Sequence, residues 1–480
     1  MSLREQFLKI RRNLPVRAIE ERIERRRLID EKSPLPASLS SAGSRKAEPR
    51  PDGPRTTYNQ VKNRLHRRLI EEFDPAALWD GAERSEIRDS VAEFVRVALE
   101  SDPAPLSRAE RSRLAEDLLY ETFGLGPLGP LMCDPAVSDI LVNGADQVYV
   151  ERFGRLERTT VAFNDAAHVL QIIERIVAKV GRHIDELNPM VDARLPDGSR
   201  VNAIIPPLSL SGPILSIRRF TREPLRLADL KKLGTLDDGL SAILERCVMA
   251  RLSLLITGGT GSGKTTLLNV LSSFIPNSER IVTIEDAAEL RIQQEHWVSL
   301  ETRPPNIEGR GQVTARDLVR NALRMRPDRL VIGEVRGAEA LDMLQALNTG
   351  HDGGMSTLHA NAPREALSRL ETMVLMAGFD LPQRAIREQI ASAVDVIVHV
   401  ARFPDGSRKV TSLSEVVGME ASAILLQEIY RFRQTGIGPD RRVLGTFEPT
   451  GVRPAFSSKL ELTGLALPPD LFDPRSGPAA

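Results

Sequence analysis

Residues 258–266 read GGTGSGKTT, and this run constrains the chain more than any other stretch. Gly258, Gly259, Gly261 and Gly263 free the backbone for conformations that a β-carbon forbids. The run matches G-x-x-x-x-G-K-[ST] through Gly258, Gly263, Lys264 and Thr265. Its flanks fit the same reading. The apolar SLLIT before it is a buried-type strand, and TTLLNVLSSFI after it has helical spacing. A loop whose N–H groups converge at a helix N-terminus is an anion site. Lys264 is then placed to reach the β- and γ-phosphates of a nucleotide, and the Thr265 hydroxyl to meet Mg2+. With Thr260, Ser262 and Thr266 in the same loop, the whole run is the expected cradle for a nucleotide.

From Ser241 to about Val400, short apolar runs alternate with helical segments. The runs are LSLLITG, RIVTIED, RLVIGEV, GGMSTLH and VDVIVHV. Such alternation predicts an α/β domain, a parallel sheet with helices on both faces. In such sheets chemistry gathers at the carboxyl ends of the strands. RIVTIED ends on Glu285 and Asp286, and RLVIGEV carries Glu334, so carboxylates are expected there to serve Mg2+ or an attacking water. His359, at the end of GGMSTLH, is brought to the same edge. Its position leaves open a structural role or the sensing of phosphate. With His351 it lacks zinc-ligand spacing, and no cysteine joins them.

The rest of the chain divides around this domain. Residues 1–55 are basic and Pro/Ser-rich and read as a largely disordered tail. Residues 56–125 show helical faces (Tyr58, Val61, Leu65, Leu69, Phe73; then Ile87, Val91, Phe94, Val95, Ala98; then Leu114, Leu118, Leu119, Phe123), which predict a small helical domain. Residues 126–222 mix strand-like runs with the helix DAAHVLQIIERIVAKVG, an α+β domain. A linker is expected over 223–240, the nucleotide domain over 241–445 and a tail over 446–480. PDGSR occurs before Val201 and again ending at Arg408, which suggests an ordinary hairpin turn. The chain has 65 basic and 65 acidic residues, so it lacks the excess charge of a nucleic-acid coat. Two cysteines, Cys133 and Cys247, make no disulfide framework. With no apolar run near the ~20 residues of a membrane span, a cytoplasmic protein is expected.

Four blocks carry a family resemblance: GGTGSGKTT, TIEDAAEL, RMRPDRLVIGEVRGAEALDMLQALNTGHDGGMSTLHANAP and ARLPDGSRVNAIIPP. In order and spacing they resemble the type II/IV secretion ATPases, hexameric motors of pilus assembly and secretion, over about Tyr58 to Arg431. The resemblance implies a RecA-like P-loop ATPase domain preceded by a PAS-like α+β domain and a small helical domain. Within the family the chain looks most like the CpaF branch, the assembly ATPases of tight-adherence (type IVc, Flp) pili. The helical TYNQVKNRLHRRLIEEFD, the closing EVVGMEASAILLQEIYRF with TGVRPAF, and the lack of a four-cysteine zinc insertion favour that branch.

Residue by residue, the resemblance implies that Lys264 and Thr265 bind phosphate and Mg2+. Glu285 would be the Asp-box acid assisting Mg2+ or water. Glu334 would be the catalytic Walker B glutamate, although Gly333 and no aspartate precedes it, and His359 would read the γ-phosphate. The family also sends arginines from the α+β domain onto the nucleotide; Arg200 and Arg218 match best, then Arg219 and Arg194. The implied protein is a homo-hexamer, peripheral at the cytoplasmic face of the inner membrane, pushing on pilus platform proteins. An ATPase of the type IV secretion and conjugation branch is the alternative. A nucleic-acid motor on the same fold is disfavoured by balanced charge and few aromatics, so no nucleic acid is expected. A non-hydrolysing, nucleotide-switched scaffold is disfavoured by Glu334.

Overall fold

The computed structural model describes residues 54–72, 84–152, 154–220, 225–305 and 310–474. The expected basic tail lies outside these residues up to position 53, as does Phe73. The chain divides into two compact units, Met1–Val61 and Lys62–Ala480. Of the first, only the opening turns of one helix are described. Among the described residues, no helix is long and apolar enough to cross a membrane.

Three helices come first: α1 (Pro54–Glu72), α2 (Arg84–Glu100) and α3 (Arg108–Phe123). The start of α3 is written locally. The Ser107 hydroxyl accepts from Glu110 N, and the Glu110 carboxylate accepts from Ser107 N, so two otherwise orphan donors are satisfied. Leu114 and Leu118 make its buried stripe. A short helix, α4 (Gly129–Cys133), leads into the α+β domain.

That domain holds β1 (Val137–Asn143), β2 (Val148–Arg152), β3 (Arg155–Arg158), α5 (Ala166–Ala178), β4 (Met190–Arg194), β5 (Arg200–Ile204) and β6 (Ile214–Arg218). Among the described residues the strands form a six-stranded antiparallel sheet in the order β3-β2-β1-β6-β5-β4. Val169, Ile172, Ile173, Ile176 and Val177 of α5 pack with Ile140, Val150, Leu215 and Ile217 of the sheet. Helical spacing on one element meets alternation on the others, and each buries the other's apolar side.

The expected linker 223–240 is partly helical. It contains α6 (Leu227–Lys232) and the start of α7 (Asp238–Met249). Asp237 caps α7 by accepting from Leu240 N, and Leu240, Ile243, Leu244 and Cys247 are buried at helical spacing. The domain boundary therefore falls before residue 238, not at 241.

The largest domain follows as β7 (Leu254–Gly258), α8 (Lys264–Ser272), β8 (Ile281–Glu285), β9 (Trp297–Glu301), α9 (Ala315–Ala322), β10 (Arg329–Val335), α10 (Glu339–Leu347), β11 (Met355–His359), α11 (Pro363–Met376), α12 (Gln383–Ala393), β12 (Val396–Arg402), β13 (Arg408–Glu420), β14 (Ala423–Ile437), β15 (Val443–Pro449) and α13 (Ser457–Leu462). Among the described residues the sheet is nine-stranded, ordered β15-β14-β13-β12-β7-β11-β10-β8-β9. From β12 to β9 every pairing is parallel, and β13 to β15 add antiparallel strands at one edge. Two apolar cores, one on each face, hold helices against the parallel part. This is the α/β architecture expected from the alternating runs, with the RecA-like arrangement that the resemblance implies. The expected tail at 446–480 is not a tail as far as residue 474. Phe456, Leu460 and Phe472 are buried in the core that also holds Ile243 and Tyr430.

Candidate nucleotide site

All five residues of β7 are buried, and the chain leaves the sheet at Gly258. Gly258 has φ +158, and a β-carbon there would lie 2.2 Å from Val400 O. Gly263 stands at φ +98 as the N-cap of α8. These two glycines make the tight exit and the helix start that the motif requires. Lys264 donates to Gly259 O at 2.9 Å, so its amine lies across its own loop. Burial lowers its pKa below the ordinary lysine value; Glu334 opposes that shift, and Arg218 and Arg336 reinforce it. A desolvated ammonium with one carbonyl partner is ready to exchange that partner for phosphate oxygens.

Parallel register carries the other expected groups to the same edge. His359 pairs with Gly258, Leu358 with Val335, and Ile332 with Ile284, so the ends of β7, β11, β10 and β8 lie side by side. Glu285 is 4% exposed. Its Oε1 accepts from Glu289 N at 2.9 Å and Leu290 N at 3.1 Å, yet burial outweighs these bonds and pushes its pKa up to about 6. The lack of a side chain at Gly333 makes room for it: a β-carbon there would sit 2.7 Å from Glu285 Cγ. Glu334 is paired with Arg336, whose other nitrogen reaches Asp286 at 3.1 Å.

The P-loop and these strand ends open on a cleft of about 960 Å3, walled on its far side by the α+β domain. Seven basic side chains face four acidic ones along it, which suits a polyanion. The structure treats the four expected arginines differently. The Arg218 side chain lines the cleft with no hydrogen bond or ion pair of its own among the described residues. Arg200 also lines it but donates to Ala287 O at 2.7 Å and lies 3.2 Å from Glu289. The Arg219 guanidinium turns to the carbonyls of Asp134 and Val137 in its own domain. Arg194 donates to Ala288 O at 2.6 Å and pairs with Glu301. Thus Arg218 is the α+β arginine most available to phosphate.

Several residues of the site were not read from sequence. Arg336 and Arg369 line the cleft, and Arg408 donates to Gly261 O at 2.9 Å from beneath the P-loop. Buried His399 meets the Thr257 hydroxyl at 2.9 Å one residue before the loop. Arg336 had a signal in its position two residues after Glu334, and Arg408 had one in the repeated PDGSR; Arg369 and His399 lie far along the chain from the P-loop.

Among the described residues, no cluster of three or more His, Cys, Asp or Glu could hold a metal unaided. The donor set nevertheless fits a Mg2+ that arrives with a nucleotide. Such an ion needs one or two protein oxygens and completes its shell with phosphate and water. Thr265, Glu285 and Glu334 supply hard oxygens along one cleft, and Glu285 Oε2 keeps only a long contact of 3.4 Å to Leu290 N.

Comparison with known proteins agrees with this geometry. The family model described as Type II/IV secretion system protein matches residues 121–428, and that of the Type II secretion system protein E N-terminal domain matches residues 58–122. A putative conjugal transfer protein of Mycobacterium tuberculosis is 42% identical over 303 residues, 62% of this chain and 86% of its own length. The conjugal transfer protein TrbB of Rhizobium radiobacter is 33% identical over 301 residues, 61% of this chain and 88% of its own. Among solved structures, the VirB11 ATPase of the Brucella suis type IV secretion system, in complex with sulphate, is 28% identical; the match covers 63% of this chain and 96% of that one, with a TM-score of 0.32. The family match spans well over half the chain and contains every strand end of the cleft: the chain belongs to the type II/IV secretion system protein family, and it is an ATPase.

Proposed function

We propose that this ATPase is the motor of a type IV secretion or conjugal-transfer machine, working as a homo-hexamer held by partners at the cytoplasmic face of the inner membrane. The observation that carries the motor reading is the two-sided cleft. The P-loop and three further strand ends belong to one domain, while Arg218 comes from another. A site divided in this way is complete only when the domains close, so turnover and movement are tied. The branch rests on the relatives named for conjugal transfer, which favour the sequence alternative over tight-adherence pilus assembly.

Lys264 leaves Gly259 O to hold the β- and γ-phosphates, and Thr265 with Glu285 faces the Mg2+ that accompanies them. That ion, when bound, neutralises charge on the phosphate oxygens. Glu334, freed from Arg336, orients water toward the γ-phosphate. Arg218 reaches the charge that develops during transfer, a contact worth ~10³–10⁵ in rate where it operates. His359, beside Gly258 in the sheet, reports on the γ-phosphate. A second reading, assembly of a tight-adherence pilus, keeps one observation in its favour: residues 58–122 match the N-terminal domain of a type II secretion protein.

Steady-state ATP hydrolysis across a range of protein concentrations tests the motor. Specific activity should rise with concentration, and Lys264→Ala should abolish it. Near-normal turnover in that variant would remove the site assignment. Disrupting the gene in its host separates the branches: loss of DNA transfer supports the first reading, and loss of surface pili with transfer intact supports the second.

A further inference from the structure

The repeated pentapeptide belongs to a longer repeat. ARLPDGSR spans residues 193–200 and ARFPDGSR residues 401–408, differing only at Leu195 and Phe403. Both fold into the same hairpin, one in each domain. Leu195 N donates to Ser199 O at 2.9 Å, and Phe403 N to Ser407 O at 2.8 Å. Asp197 accepts from Ser199 N and Asp405 from Ser407 N, both at 2.9 Å. Gly198 and Gly406 take φ +92 and +87. In each hairpin two arginines stand directly opposite one another, Arg194 with Arg200 and Arg402 with Arg408. Like charges at facing positions destabilise a strand pair, so a turn alone does not explain them.

What they reach does explain them. From the α+β domain, Arg194 and Arg200 hold the carbonyls of Ala288 and Ala287, and pair with Glu301 and Glu289. That loop follows Glu285, whose carboxylate holds its other side through the amides of Glu289 and Leu290. From the P-loop domain, Arg402 crosses the other way, donating to Gly154 O and lying 3.6 Å from Glu151. Its partner Arg408 holds Gly261 O in the P-loop itself. Each domain thus grips the other through the same hairpin, and each grip ends one step from a phosphate-binding or acidic element of the cleft.

We propose that the two hairpins are reciprocal clamps that set closure of the cleft, with Arg194, Arg200, Arg402 and Arg408 as positioning residues for hydrolysis. The inference rests on the nucleotide reading of the cleft. It gives Arg200 a grip on the loop after Glu285 rather than on phosphate. Rearrangement of the P-loop around a nucleotide passes through Arg408 and Arg402 to the β2–β3 turn, and rearrangement at Glu285 passes through Arg194 and Arg200 to the β4–β5 hairpin.

The test uses the full chain with Arg194→Ala, Arg402→Ala and both together. Steady-state kinetics and amide hydrogen exchange are the readouts. Each single variant should lose about tenfold in kcat while KM for ATP stays within about twofold, as expected of misplacement rather than lost binding. The double variant should lose little beyond the worse single one, because one closure is held by both clamps. Arg402→Lys should recover part of the rate through its ammonium, which keeps the charge but not the planar guanidinium fork. Exchange should quicken in residues 286–290 of the Arg402→Ala chain, which Arg402 does not touch. Wild-type kcat in both single variants, KM rising in step with the kcat loss, multiplying losses in the double, or exchange changes confined to each arginine's own contacts would each overturn the proposal. A wild-type chain without ATP turnover would remove the nucleotide reading alone, and exchange would still decide the clamps.

Discussion

At Glu285 burial and function act on one carboxylate. Its pKa of about 6 lies above the ordinary 4.5, so the folded chain binds a proton there more readily than the unfolded chain. The stability this gives is complete below about pH 4.5 and is lost as pH rises through about 6. Above that window the carboxylate is ionised and buried, a condition that a nearby cation relieves. Turnover should therefore fall as pH drops below about 6, with Mg2+ shifting the midpoint lower. Glu285→Gln should lose on the order of 10² in kcat, and its profile between about pH 5 and 8 should lack the acid limb. A Gln variant that keeps the limb would assign it to another group. Lys264 and Thr265 were legible in sequence from the glycine motif, and the placement of Glu285, Glu334 and His359 was legible because the order of the parallel strands carries them to one edge. Arg219 was not: it lines the cleft, but its guanidinium turns to carbonyls of its own domain, a choice made by packing.

Elements were legible in proportion to their burial. β7, β8 and β12 are mostly apolar and buried, and read as strands at once. β4 and β9 were missed, since both are edge strands with half-exposed residues and no clear alternation in MVDAR or WVSLE. Arg329, at the start of β10, shows what periodicity cannot see. It reads as a polar residue before an apolar strand, yet it is 0% exposed. It pairs with Glu279 and donates to Gly353 O at 3.0 Å and Val248 O at 2.9 Å. Gly353 is required there, because a β-carbon would meet Arg329 Nη1 at 2.1 Å. Arg329→Met should cost about 3 kcal/mol by leaving the buried Glu279 with only Arg251, 3.2 Å from its other oxygen, and Arg329→Met with Glu279→Leu should recover much of that. Urea unfolding measures both. A single variant as stable as wild type would show that Arg251 alone satisfies Glu279.

At the scale of the molecule, the segment after β15 decides whether the nucleotide domain is closed. From sequence the domain is expected to end at residue 445, with a tail over 446–480. The fold continues because isolated side chains suffice when their sites exist. Phe456, Leu460 and Phe472 enter the core beside α7 and β14, on the face that also carries β7 and α8. The backbone is fixed as well: buried Glu415 of β13 accepts from Ala455 N at 2.8 Å and Phe456 N at 2.7 Å. Burial raises the Glu415 pKa, with these two amides opposing. The segment therefore joins the strand next to β12 to the helix that precedes the P-loop strand. Phe456→Ala should cost about 3–5 kcal/mol through lost burial and the cavity left behind. Because β12 lies between β13 and β7, loosening here should also weaken nucleotide binding, although Phe456 does not line the cleft. Thermal unfolding with and without ATP separates the two effects. If Phe456→Ala lowers Tm while the upward shift given by ATP is unchanged, the segment stabilises the domain without reaching the P-loop. If that shift shrinks as well, the path through β13 and β12 carries the coupling.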